Sequence, residues 1–167
     1  MTRADRSLWY FAYGSNLAPA TFVERRGIVP LECHGAWVDD LALRFDLPVG
    51  PGERGVANLA DVPGACTWGV AYRVTSDDAA RLDRSEGVDR GYYDRVPVTV
   101  RRPVPTAPLA AFTYRSRHRV PGRKPSARYL GIILEGARHH ALPTAWITYL
   151  ESLELAVDER LAAGTTK

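Results

Sequence analysis

The 167-residue sequence contains only two cysteines, Cys33 and Cys66, far apart and in no CxxC pair. The chain therefore does not depend on a disulfide framework. Both thiols are expected to be reduced and structural, in a reducing compartment, with a disulfide possible but unneeded. Histidine is also sparse. His139 and His140 are adjacent in an expected helix–helix turn, and His34 and His118 share no ligand-like spacing with them, so no metal site is expected. The phosphate-binding loops GxxxxGK[ST] and GxGxxG are missing, as is the GxSxG nucleophile elbow, and no Ser-His-Asp or Cys-His arrangement stands out. No apolar run approaches the roughly 20 residues of a membrane-spanning helix. The opening Met1–Ser7 lacks the apolar core of a secretory leader. These absences point to a cytoplasmic protein with no membrane partner.

Charge of one sign is scarce as well: 22 Lys and Arg face 19 Asp and Glu, for a net charge of +3. That balance favours an acidic ligand weakly and does not demand nucleic acid. One segment departs from it. Arg115–Arg128 is strongly basic and holds no acid. It reads either as an RNA-binding patch or as a solvated loop that helps attract an anionic substrate. It carries no interleaved aromatics for base stacking, so nucleic acid is not expected as a partner.

What the chain does contain is enough for one domain over residues 1–167 with a substantial core. Aromatic and β-branched runs predict strands at Leu8–Tyr13, Ala36–Phe45, Gly55–Leu59, Thr67–Val74, Arg95–Val100 and Leu109–Tyr114. Pro48–Gly52 and Val62-Pro63-Gly64 read as loops between them. A short helix is expected at Asp77–Ser85, capped by Thr75 or Ser76, with Asp77 and Asp78 in its first turn and Gly87 stopping it. Two more are expected, at about Ser126–Ala137 and at Thr144–Leu161, with Pro143 opening the second. There Trp146, Leu150, Leu153 and Val157 recur at helical spacing as a core-facing stripe. The fold class is mixed α/β, a sheet or barrel covered by a few helices.

Two stretches carry candidate chemistry. In Tyr10-Phe11-Ala12-Tyr13-Gly14-Ser15-Asn16-Leu17 a strand runs into a tight turn. Gly14 is expected to supply dihedrals closed to other residues, and Ser15 and Asn16 favour turns and caps. Such a turn points unpaired N–H groups one way, a seat for a carboxylate or an oxyanion. The second stretch is Leu82-Asp83-Arg84-Ser85-Glu86-Gly87-Val88. Glu86 falls at a helix C-terminus, where the macrodipole opposes a carboxylate, and Val88, Tyr92 and Tyr93 are placed to enclose it. Both effects raise its pKa and make it a better base near neutrality. The plain alternative is a solvated glutamate before a capping glycine. Tyr92, Tyr93, Tyr114 and Tyr129 are candidate hydroxyl donors and ring walls, or else core aromatics with satisfied hydroxyls.

With these residues in place, the chain from Trp9 to about Leu153 resembles the γ-glutamylcyclotransferase family of the AIG2-like superfamily. Tyr10–Leu17 is similar to the family's signature loop, and Leu82–Val88 to its catalytic segment, with Glu86 at the position of the acid/base glutamate. Tyr93 falls where the family places a substrate-pocket tyrosine. Pro125-Ser126-Ala127-Arg128-Tyr129, then Gly136-Ala137 and Leu142-Pro143, resemble its C-terminal signature. The resemblance implies a small β-barrel-like sheet with a few helices and a cofactor-independent reaction. A γ-glutamyl amide would cyclise to 5-oxoproline and release its amine, with Glu86 as general acid/base. Tyr13, Gly14, Ser15, Asn16, Leu17, Tyr93, Tyr114 and Tyr129 would bind the substrate, in a monomer or homodimer. Two alternatives stay open: removal of a γ-glutamyl protecting group from a larger biosynthetic amine, and a non-catalytic small-ligand binding module on the same fold.

Overall fold

Strands form where the aromatic and β-branched runs lie, and three of them match their runs to within a residue at each end. The computed structural model describes residues 6–157. Its strands are β1 (Ser7–Ala12), β2 (Glu32–Pro48), β3 (Gly55–Thr75), β4 (Asp94–Val100) and β5 (Leu109–Arg115), joined in one sheet of order β2-β3-β1-β5-β4. β1 runs antiparallel to β3, from Ser7↔Thr75 to Ala12↔Val70, and parallel to β5 through Tyr10↔Phe112. The sheet is open, yet its edges meet once: Trp37 of β2 and Arg101 just after β4 exchange N–H···O bonds of 2.9 Å in both directions. The barrel-like character amounts to this single bridge.

Val62-Pro63-Gly64 does not separate two strands. β3 continues through it as one strand, and the register against β2 shifts between Asp39↔Cys66 and Leu41↔Asp61. The surplus residues form a bulge. Gly64 takes φ +81°, Asp40 takes φ +61°, and the Asp40 carboxylate accepts from the Gly64 N–H at 2.8 Å. Cys33 and Cys66 are free thiols, but both lie exposed on β2 and β3 and are no part of the core.

Three helices follow the expected punctuation. α1 (Ser76–Ser85) is capped by Thr75, whose hydroxyl accepts from the Asp78 N–H, and it buries Ala79 and Leu82. Gly87, at φ +66°, turns the chain away after Glu86. α2 (Ala127–His139) starts from the Ser126 hydroxyl, which accepts from the Tyr129 N–H at 3.1 Å. α3 is shorter than expected, ending at Glu151. Leu150 is buried, whereas Val157 is 59% exposed, so the four-residue stripe is not continuous. Tertiary hydrogen bonds draw the chain off the helical path: Ala156 N–H donates to the Pro125 carbonyl and Val157 N–H to Glu53. The expected helical residues 158–161 lie outside the described residues.

The core between sheet and helices holds Phe11, Leu17, Phe22, Leu59, Ile133 and Leu150, all fully buried. Phe22 stacks on Tyr72 with ring centroids 4.1 Å apart. α2 presses directly on the turn after β1, because Gly136 has no side chain: a Cβ there would lie 2.3 Å from the Leu17 carbonyl carbon.

Candidate active site

The end of β1 feeds straight into the site. After Tyr13 and Gly14 the chain closes a 3-10 turn at Ser15–Leu17, and a π-helical turn follows at Ala20–Arg25. Gly14 has φ −117° and ψ −137°, outside both the left-handed and the ordinary extended region. Space also favours glycine: a Cβ would stand 3.1 Å from Ala57 Cβ and 3.2 Å from the Tyr129 hydroxyl. The pocket wall is built against bare backbone.

Tyr10, Tyr13, Gly14, Ser15, Asn16, Ala57, Glu86, Tyr93, Tyr114 and Tyr129 line one solvent-connected pocket of about 40 Å³. Of the residues singled out in the sequence, Leu17 and Tyr92 are not brought to it. The Leu17 side chain is wholly buried in the core and its N–H donates to the Gly14 carbonyl at 3.1 Å, so Leu17 shapes the turn without facing the pocket.

Glu86 caps the C-terminus of α1, with its own N–H donating to the Leu82 carbonyl at 2.8 Å. Its side chain is 14% exposed. Burial raises its pKa above the ordinary carboxylate value, against the opposing pull of the Arg26 cation and a hydrogen bond from Asn16. Asn16 Nδ2 donates to Glu86 Oε1 at 3.0 Å, and Arg26 Nη2 stands 3.7 Å from the same oxygen. Both contacts fall on Oε1, which leaves Oε2 as the oxygen available for proton transfer.

Asn16 organises this corner. It is 4% exposed, donates to the Tyr10 hydroxyl at 2.9 Å, and accepts from Arg26 Nε at 2.6 Å. Its carbonyl accepts from the Tyr72 hydroxyl at 2.9 Å. His140 Nε2 lies 3.0 Å from the Leu17 carbonyl, which only accepts, so this nitrogen carries the proton and pins the next residue of the turn. Burial lowers the His140 pKa and favours that neutral ring.

The tyrosines divide by where their hydroxyl hydrogens go. Tyr13 donates to the Tyr114 carbonyl, Tyr93 to the Ala57 carbonyl at 2.7 Å, and Tyr114 to Asp83 at 2.7 Å. These three present rings to the pocket and spend their hydroxyls on the scaffold. Tyr129 accepts from the Ala57 N–H at 3.0 Å and from the Ser15 N–H, while Tyr10 accepts from Asn16. Both therefore keep a hydroxyl hydrogen for a ligand. Burial pushes the Tyr129 pKa up to about 12 and the Tyr10 pKa higher still, so each is a neutral donor at physiological pH. Tyr92, by contrast, is 54% exposed and covers the Gly87 turn from outside.

Sequence reasoning missed Tyr10, Ala57 and Arg26 as site residues. A phenol within an otherwise apolar strand was the available signal for Tyr10. Arg26 follows another arginine and reads as surface charge, and Ala57 carries no chemical signal at all. The basic segment Arg115–Arg128 is exposed over residues 117–122, and four of its cations are held by ion pairs. Arg115 pairs with Asp61 at 3.1 Å, Arg117 with Asp94 at 2.9 Å, Arg119 with Asp46 at 3.1 Å and Lys124 with Glu154 at 2.9 Å. Its missing acids are supplied by other elements.

A model of the AIG2-like family matches residues 67–150. A bovine protein, "Gamma-glutamylcyclotransferase" of Bos taurus, is 31% identical over 89% of this chain and 79% of its own length. "Gamma-glutamyl cyclotransferase gliK" of Aspergillus fumigatus is 32% identical over 87% of this chain, which spans only 62% of that relative. Among solved structures, one titled "Gamma-glutamyl cyclotransferase" superposes with a TM-score of 0.78 at 26% identity, covering 90% of this chain and 89% of the other.

Proposed function

From the premise that this chain belongs to the AIG2-like, γ-glutamylcyclotransferase family, we propose that it converts a γ-glutamyl amide to 5-oxoproline and a free amine. The observation that carries the reading is Glu86, a buried carboxylate with a raised pKa facing a small tyrosine-lined pocket.

The substrate brings its own nucleophile. Its α-amine attacks the γ-carbonyl carbon, the lactam C–N bond forms, and the original amide C–N bond breaks. Holding both groups in one small pocket makes this ring closure effectively unimolecular, an advantage of up to roughly 7–11 kcal/mol in ideal geometries. At neutral pH the α-amine is mostly protonated, with a pKa of roughly 8. Glu86 Oε2 removes that proton and then delivers it to the departing nitrogen, which leaves as a neutral amine, while the attacking nitrogen loses its second proton to solvent as the lactam forms. Asn16 and Arg26 hold Oε1 and fix the carboxylate's orientation. The Tyr10 and Tyr129 hydroxyls are the donors for the developing oxyanion or the α-carboxylate, beside the turn at Gly14–Asn16. The transformation is redox-neutral and its nucleophile is internal, so it calls for no cofactor.

The test measures 5-oxoproline released from γ-glutamyl amino acids and γ-glutamyl amines by wild type and by Glu86→Gln. Release by wild type, lowered about a hundredfold or more in the variant, is expected of a general acid–base. Equal rates would remove Glu86 as the base, and no release from any substrate would favour a binding module.

A further inference from the structure

Two hollows flank the tyrosine pocket; they share Val49 and Val56 and differ in charge and in their contact with Glu86. One is a hollow of about 510 Å³ that meets the pocket at Tyr129 and carries Arg25, Arg54 and Arg128. The other is a groove of about 300 Å³ that shares both Glu86 and Tyr93 with the pocket. Its walls are Leu47, Pro48, Val49, Val56 and Tyr92, with Arg90 at the rim.

Resting on the cyclotransferase reading, we infer that this groove is the subsite for the departing amine and selects amine halves with a bulky apolar body and no second ammonium group. The first argument is proton delivery. The leaving nitrogen must come within hydrogen-bond reach of the residue that protonates it, roughly 2.6–3.2 Å. Glu86 borders the groove and does not border the arginine hollow, so the amine half extends into the groove. Tyr129, the link to the hollow, has its hydroxyl held by the Ala57 and Ser15 N–H groups and walls that side.

The second argument is surface chemistry. Val49 is 39% and Tyr92 54% exposed, so the groove presents uncovered apolar surface beside the proposed acid. Burying such surface under a ligand contributes about 25 cal/mol per Å². A glycine or other small amine leaves most of it wet. The third argument is charge. The Arg90 guanidinium lies 5.2 Å from the centre of the Tyr92 ring, and no carboxylate pairs with it among the described residues. A diamine or a lysine side chain would bring a second cation towards it, whereas an amino-acid carboxylate is tolerated.

The experiment compares kcat/KM for γ-glutamylphenylalanine, γ-glutamylglycine and γ-glutamylputrescine, in wild type and in Tyr92→Ser, by 5-oxoproline release. Tyr92 is 54% exposed and borders the groove but neither the tyrosine pocket nor the arginine hollow, so the variant is expected to fold, and circular dichroism checks that it does. Wild type is expected to prefer the phenylalanine amide over glycine about tenfold or more, with putrescine poorest. Tyr92→Ser is expected to shrink the phenylalanine-to-glycine ratio several-fold. Equal use of phenylalanine and glycine, a preference for putrescine, or an unchanged ratio in the variant would overturn the subsite while leaving the cyclotransferase reading intact. No 5-oxoproline from any member would overturn both.

Discussion

The tyrosine pocket and the groove beside it share Glu86 and Tyr93 but are built on opposite plans. The pocket takes its walls from β1, β3, β5 and α2 and from the turns around Gly14 and Tyr93, and nearly every polar atom in it is spoken for by a scaffold hydrogen bond. The groove is apolar, half exposed, and walled by the turn after β2 and the surface ring of Tyr92. A reaction centre needs its groups held to within fractions of an ångström by neighbours that cannot relax. A recognition surface can vary with the loops that carry it. The same chemistry can therefore be kept while the amine half of the substrate changes.

That contrast predicts different kinetic signatures for substitutions in the two regions. The largest effect after loss of Glu86 itself is expected from Asn16→Ala. It unties Tyr10, Arg26 and Glu86 together and should lower kcat by about tenfold to a hundredfold for every amine half alike. An effect confined to one substrate would show that the pocket takes part in selection and would break the contrast. Next come Tyr129→Phe and Tyr10→Phe. Each deletes one free hydroxyl donor and is expected to cost about tenfold or more in kcat if that donor meets the oxyanion, and to act on KM if it meets the α-carboxylate. Tyr114→Phe is the matched control, since its hydroxyl already serves Asp83.

The smallest effect is a shift in pH dependence. The active pair is ionised Glu86 with a protonated substrate amine, so kcat/KM should be bell-shaped. Its acid limb should lie above the ordinary carboxylate value of 4.5, because burial raises Glu86, and its alkaline limb near the amine pKa of roughly 8. Arg26 favours the ionised carboxylate. Arg26→Gln should therefore move the acid limb upward and lower activity on the acid side of the optimum while sparing the alkaline limb. An acid limb that stays put would show that Arg26 acts only through Asn16.

Local rules made the outline legible. Thr75, Asp77, Asp78 and Gly87 bound α1, so the position of Glu86 at its end followed from capping chemistry alone. Ser126 did the same for α2. What escaped was set by distant partners. The continuation of β3 through Pro63 depends on β2 supplying Asp40 to hold the Gly64 bulge, and α3 stops early because Pro125 and Glu53 capture the following residues. The tyrosines were recognisable as pocket candidates. Which of them spend their hydroxyls on the scaffold was not, because those acceptors lie 31 to 101 residues away for Tyr114, Tyr93 and Tyr13. Gly14 was rightly placed, but the strand and helix that also crowd it were not visible in the sequence.

The two glycines inside α2 bear on attempts to harden this protein against heat. Replacing a mid-helix glycine with alanine is a routine stabilising change, worth roughly 0.5–1 kcal/mol where room exists. At Gly131 nothing lies within 4 Å of the added methyl group, and the change is free to deliver that gain. At Gly136 the same methyl group would collide with the backbone of Leu17 and Ala18, and relief would come only by shifting the turn that carries Asn16. An engineer scoring α2 by helix propensity would rank the two positions alike. One is a spare methyl's width of freedom, and the other is the tolerance on which the alignment of the whole pocket is machined.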